Sequence, residues 1–132
     1  MTDKYQPRRF DMVEEDQVDS GVLETVDYSY PGRRTEVEIV FPEFTSVCPW
    51  SGLPDFGTIT IKYVPRHTCV ELKSLKYYLN SFRNVGILQE HVVNRILDDL
   101  KYKIGPISMK VTAEFNARGG LRTVLTASYP KE

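Results

Sequence analysis

Val70-Glu-Leu-Lys-Ser-Leu-Lys-Tyr-Tyr-Leu-Asn-Ser-Phe-Arg83 is where the chain changes its period. Leu72, Leu75, Leu79 and Phe82 recur at i, i+3, i+7 and i+10, which lays one apolar stripe along a helix over 70–83. Lys73, Lys76, Tyr77, Asn80 and Arg83 fall on the opposite face. Upstream the period is two. Val37, Ile39 and Phe41 alternate with Glu36 and Glu38 in a strand expected to end at Pro42, and Ile59, Ile61 and Tyr63 alternate with Thr58, Thr60 and Lys62 in a second strand closed by Pro65. Between them, 44–57 carries Pro49, Pro54, Gly52 and Gly57 and reads as an irregular loop. Downstream, Val92, Val93, Ile96, Leu97 and Leu100 set a second helix over 89–102, stopped by Gly105-Pro106. Two alternating runs follow, Ile107 to Phe115 and Leu121 to Tyr129, joined by the turn signal Asn116-Ala-Arg-Gly-Gly120.

The order ββααββ implies an α+β fold, an antiparallel sheet with both helices on one face. No G-x-G-x-x-G follows a strand and no G-x-x-x-x-G-K-[ST] is present, so neither the Rossmann fingerprint nor the P-loop applies. The chain of 132 residues fits one domain, read here as residues 22–132 behind a polar arm, 1–21, that lacks periodicity. Lys and Arg nearly balance Asp and Glu, 17 against 18, which argues against general attraction to nucleic acid or to an anionic membrane. The balance is uneven: 5 basic and 11 acidic residues precede Cys48, and the excess is basic from there on. With no apolar run near the roughly 20 residues a membrane span needs and no signal-peptide core, the expected location is the cytoplasm. Two cysteines are too few for a disulfide scaffold, and a core this small would gain from oligomerisation.

Cys48 lies in the loop between the first two strands with Asp55 seven residues on. A thiolate attacks electrophilic carbon, and a nearby carboxyl group can move the proton that the attacked group needs. The plainer alternative is a packed thiol and a turn-forming aspartate. Glu71 and Glu90 stand near the helix starts, where a carboxylate suits the helix dipole or can accept two N–H groups from a guanine-like ring edge. His67, His91, Cys48 and Cys69 match no metal-ligand spacing, so no metal site is expected. Lys73, Lys76 and Arg118 could meet phosphates or simply be solvated.

Phe44-Thr-Ser-Val-Cys-Pro, Gly-Leu-Pro-Asp-Phe-Gly57 and the E-x-K-S-x-K-x-Y core of the first helix together resemble the NADPH-dependent 7-cyano-7-deazaguanine reductases, nitrile reductases of queuosine biosynthesis, in their short form. The resemblance runs from about Val22 to Tyr129. It implies the tunnelling fold, in which ββααββ units from several subunits join into barrels. It also implies a homo-oligomer, expected as stacked rings, with active sites between subunits and no partner nucleic acid or membrane. By resemblance Cys48 is the nucleophile that forms a thioimidate with the nitrile and Asp55 the proton donor. Val70, Glu71, Leu72, Gln89 and Glu90 contact the deazapurine, and Lys73, Lys76 and Arg118 meet NADPH. Many members have His before the glutamate where this chain has Gln89, with His91 following instead. Glutamine cannot shuttle a proton near neutral pH, and neighbouring helix residues point about 100° apart, so His91 does not inherit the place. The competing readings are a zinc-dependent hydrolase of the same fold, similar to GTP cyclohydrolase I, and an oligomer that only binds a purine.

Overall fold

The computed structural model describes residues 12–131. Its elements run β1 (Thr25–Asp27), β2 (Val37–Val47), β3 (Pro54–Val64), β4 (Thr68–Val70), α1 (Leu72–Asn80), α2 (Gln89–Ile104), β5 (Ser108–Phe115) and β6 (Val124–Tyr129). β2, β3, β5 and β6 form one antiparallel sheet in that order, and β1 pairs with β4 in a separate ribbon. Ile59, Ile61 and Tyr63 of β3, with Met109, Val111, Ala113 and Phe115 of β5, turn to the face covered by Leu75, Tyr78 and Leu79 of α1 and Val92, Ile96 and Leu100 of α2. The result is a two-layer α+β arrangement, as the period change implies.

Four local readings need correction. Pro42 does not end β2, because a register shift between Phe41 and Phe44 accommodates the missing N–H on what is an edge strand of the sheet. The irregular loop is therefore shorter than expected: 44–47 and 54–57 are paired strand, and only 48–53 turn. β1 and β4 are too short for a period to show in the sequence. Leu72 is 61% exposed rather than part of the core stripe, since the helix starts there and Glu71 is its cap. The last strand also begins later, at Val124, with Leu121 exposed in an extended hairpin tip.

Phe44, Tyr78, Phe82 and Phe115 form the aromatic centre, with ring centroids 5.4 to 6.2 Å apart in tilted and edge-to-face pairs. Gly57 is required where β3 and β5 approach, because an added Cβ would sit 2.6 Å from the Glu114 carbonyl oxygen. Residues 12–21 lie against this body: Val13 exchanges backbone hydrogen bonds with Asn84 and Gly86, and Val18 is buried. Arg95 ties the same segment to α2, donating to the Glu15 carbonyl at 2.9 Å and to Asp99 at 2.8 Å, while the buried Tyr78 hydroxyl donates to Asp99 at 2.6 Å. The remainder of the expected arm, 1–11, lies outside the described residues. Among the described residues no helix is long and apolar enough to cross a membrane.

Candidate active site

Cys48 is the first residue past β2, and the turn that returns the chain to β3 is closed by its own backbone: Cys48 N–H donates to the Leu53 carbonyl at 2.9 Å, and the Cys48 carbonyl accepts from Gly52 N–H at 2.8 Å. Gly52 has φ of 71°, the left-handed conformation such a turn needs. Burial by itself raises the Cys48 thiol, but hydrogen bonds from the Ser51 side chain and backbone, the Trp50 backbone and Arg118 outweigh it and hold the pKa below the ordinary thiol value. The thiolate form is the one such an arrangement favours.

Asp55 is the second residue of β3 and only 4% exposed. Arg118 Nη1 donates to Asp55 Oδ1, and Nη2 reaches Ser51 Oγ at 3.4 Å. The arginine comes from the hairpin between β5 and β6, held by hydrogen bonds in both directions between Arg118 and Leu121 and by Asn116 N–H donating to Phe56 at 2.8 Å. Across the sheet Asp55 pairs with Ser46, which is fully buried and whose Oγ has no hydrogen-bond partner among the described residues.

The start of α2 reaches the same place by a short parallel bridge. Val47 N–H donates to Val85 at 2.9 Å and Ile87 N–H to Val47 at 3.0 Å, so the residues leading into α2 lie beside the end of β2. Gln89 and Glu90 therefore line one pocket with Cys48, Pro49, Asp55 and Arg118, enclosing about 270 Å3. Thr123 Oγ1 donates to Gln89 Oε1 at 2.5 Å on the rim. That volume falls just below the roughly 300–1,000 Å3 typical of a small-molecule site. A larger hollow of about 590 Å3 lies at the far end of β3, around Lys62, Lys110 and Tyr129, and contains neither cysteine nor histidine.

The remaining residues singled out from sequence are elsewhere. Val70 is buried in β4, and Leu72, Lys73 and Lys76 are exposed on α1. The Glu71 carboxylate accepts from the backbone N–H groups of Lys73 and Ser74, both at 2.8 Å, and these bonds hold its pKa below the usual carboxylate value. It caps α1 with both oxygens. Thr123 of the pocket wall, and Ser51 and Ser46 beside Arg118 and Asp55, carry little signal in the sequence. Ser51 shows only as a hydroxyl in the Pro/Gly turn beside the thiol, Thr123 reads as strand, and Ser46 stands out in no pattern. Among the described residues no three His, Cys, Asp or Glu side chains converge to hold a metal ion.

Comparison with known proteins gives three kinds of likeness. Residues 54–132 match the family model described as QueF-like protein. The chain is 56% identical over 131 residues to the NADPH-dependent 7-cyano-7-deazaguanine reductase of Caldicellulosiruptor bescii, covering 99% of this chain and all of that one. It is 59% identical over 111 residues to the protein of the same description from Chloroherpeton thalassium, covering 84% of this chain and 96% of that one. A crystal structure of the archaeosine synthase QueF-Like in its apo form superposes with a TM-score of 0.68 at 25% identity, over 73% of this chain and 94% of that one.

Proposed function

Because this chain belongs to the QueF-like family and matches reductases along their whole length, we propose that it is an NADPH-dependent oxidoreductase converting 7-cyano-7-deazaguanine to 7-aminomethyl-7-deazaguanine in queuosine biosynthesis. The observation that carries the reading is the single pocket holding a thiol of lowered pKa, a buried carboxyl group and Glu90. A nitrile carbon accepts hydride poorly. The Cys48 thiolate forms a C–S bond to it, one C–N bonding pair moves to nitrogen, and Asp55 supplies the proton that completes a thioimidate. Arg118 has to leave Asp55 Oδ1 before that oxygen carries a proton, and a side chain 45% exposed is free to do so. Glu90 accepts from the ring N–H and amino groups of the deazapurine.

NADPH, when bound, would supply the two hydrides that take the nitrile carbon to an aminomethyl group. The residues present suit such a dinucleotide: Lys73 and Lys76 are exposed cations without an ion pair among the described residues, and Arg118 can turn from Asp55 to a phosphate. Lys73 and Lys76 lie outside the Cys48 pocket of their own chain. The start of α1 from a second copy would complete the site, and the two edge strands β2 and β6 are where further copies continue the sheet into a ring. Excluding water between the two hydrides is what such closure provides. A reaction that draws on NADPH and feeds tRNA modification belongs in the cytoplasm.

The test is NADPH absorbance over time with purified chain and 7-cyano-7-deazaguanine, beside Cys48→Ala and a sample without nitrile. Nitrile-dependent oxidation, absent from Cys48→Ala, is the expected result. A folded wild-type chain that oxidises no NADPH overturns the reading, and bound zinc with GTP hydrolysis would put the hydrolase in its place.

A further inference from the structure

Ser46 breaks a rule of protein interiors. Its side chain is fully buried, yet Oγ has no hydrogen-bond partner among the described residues. A hydroxyl taken out of water without a partner lowers stability, and an alanine of nearly the same shape would not. The register of the sheet brings it to one neighbour in particular. Ser46 lies directly opposite Asp55 in the antiparallel β2–β3 ladder, and direct partners set their side chains on one face with Cβ atoms about 4.5–5.5 Å apart. Both are buried, as are Phe44 and Gly57 in the next pair on that face. Rotation about the serine Cα–Cβ bond is enough to bring Oγ within reach of the carboxyl group. In the resting chain that carboxyl group has Arg118 instead, whose Nη1 donates to Oδ1. Asp55 lines the Cys48 pocket and Ser46 does not, so an effect of the hydroxyl on the reaction passes through Asp55.

We infer that Ser46 is a positioning residue whose hydroxyl takes over the Asp55 carboxyl group when Arg118 leaves it. The inference rests on the reductase reading for the reaction. As Cys48 forms its C–S bond, one C–N bonding pair moves to nitrogen and the Asp55 O–H proton goes to that nitrogen, leaving a carboxylate at a residue only 4% exposed. Arg118 has withdrawn by then, and the anion needs another donor. An ionised carboxylate accepts hydrogen bonds and donates none, so toward it the serine hydroxyl can only donate. This bond strengthens as negative charge develops on Asp55, which makes it worth more in the transition state than in the resting chain. A contact of that kind speeds the step it belongs to. The hydroxyl is thus kept unpaired at rest for a partner that it gains only during the reaction, a loss of stability of the kind that functional sites carry.

Ser46→Ala separates this role from a structural one, because stability and rate should not fall together. Without the unpaired hydroxyl the chain should melt at the wild-type temperature or above it. Thioimidate formation, followed by stopped-flow absorbance with 7-cyano-7-deazaguanine and no NADPH, should slow about tenfold to a hundredfold, as for a lost hydrogen bond to a charged group. Alkylation of Cys48 by iodoacetamide expels iodide and needs no acid, so its rate in Ser46→Ala should stay within about twofold of wild type. When Asp55→Asn is already present, adding Ser46→Ala should slow adduct formation by no more than about twofold, since the group through which Ser46 acts has gone. Adduct formation at the wild-type rate in Ser46→Ala, alkylation slowed as much as adduct formation, a full loss that persists beside Asp55→Asn, or a melting temperature well below wild type each overturns the inference and leaves the reductase reading standing. A folded wild-type chain that forms no adduct and oxidises no NADPH overturns both.

Discussion

Two stretches that look equally functional in sequence, the Cys48–Asp55 turn and the Val70–Lys76 start of α1, fare differently in the fold. The first finds its partners within its own chain: Ser51 and Arg118 bind the thiol region, Arg118 reaches Asp55, and Gln89 and Glu90 complete the wall. The second has its one carboxylate capping the helix and its lysines directed to solvent. A side chain that satisfies the backbone beside it needs nothing further, while an exposed cation without a partner is available to a ligand. The difference teaches that the pocket residues find their partners within one chain, whereas α1 offers cations that the proposed reductase would use across an interface with a second copy.

The comparison breaks most visibly at the thiol. Cys48→Ala should lower nitrile-dependent NADPH oxidation by about a thousandfold or more and remove the mass of a covalent adduct from the intact protein. Asp55→Asn comes next, with turnover falling by about 10²–10⁴ if it donates the proton, and unchanged turnover would take that role from it. Mixing Cys48→Ala with a Lys73→Glu/Lys76→Glu chain sharpens the division of labour. If each site draws its pocket from one copy and its α1 from another, about a quarter of the sites in a randomly reassembled ring regain activity. Mixtures as inactive as their components would place both halves in one chain.

Smaller effects separate electrostatics from scaffolding. Arg118 helps hold the Cys48 thiol below the ordinary value, so the thiolate persists to lower pH, and Arg118→Ala should shift the rise of iodoacetamide alkylation at Cys48 to higher pH. Identical alkylation profiles would remove Arg118 from the thiol's surroundings. The Glu71 carboxyl lies below its usual value in the folded chain, so the stability it adds is present near neutral pH and lost as pH falls through that lowered value. Glu71→Gln should therefore lower the melting temperature slightly at neutral pH, with the difference from wild type closing on acidification.

Much of the architecture was legible before any coordinates. The stripe of Leu75, Leu79 and Phe82 and the alternation of Ile59, Ile61, Met109 and Val111 are buried as their periods require, because a repeating pattern reports which face meets the core. What failed did so for local reasons. Pro42 reads as a stop because a proline lacks the N–H that a ladder uses, and an edge strand with a bulge does not ask for it. Leu72 matched the stripe by spacing, yet the first residue of a helix lies where the chain is still turning in, and it faces solvent. The candidate nucleophile and acid could be named from one turn, since both lie within eight residues. Arg118, Thr123 and Ser46 could not be attached to them, because their relation to Asp55 and Gln89 runs through strand pairing and a hairpin.

The sequence by itself determined the order of the four longer strands and two helices, their buried faces and the turn on which Cys48 stands, all of which are properties of near neighbours along the chain. Only the tertiary structure decided which cation meets Asp55 and which hydroxyl meets Gln89. Those are matters of a few ångströms between residues 34 to 63 positions apart, and periodicity carries no information about them.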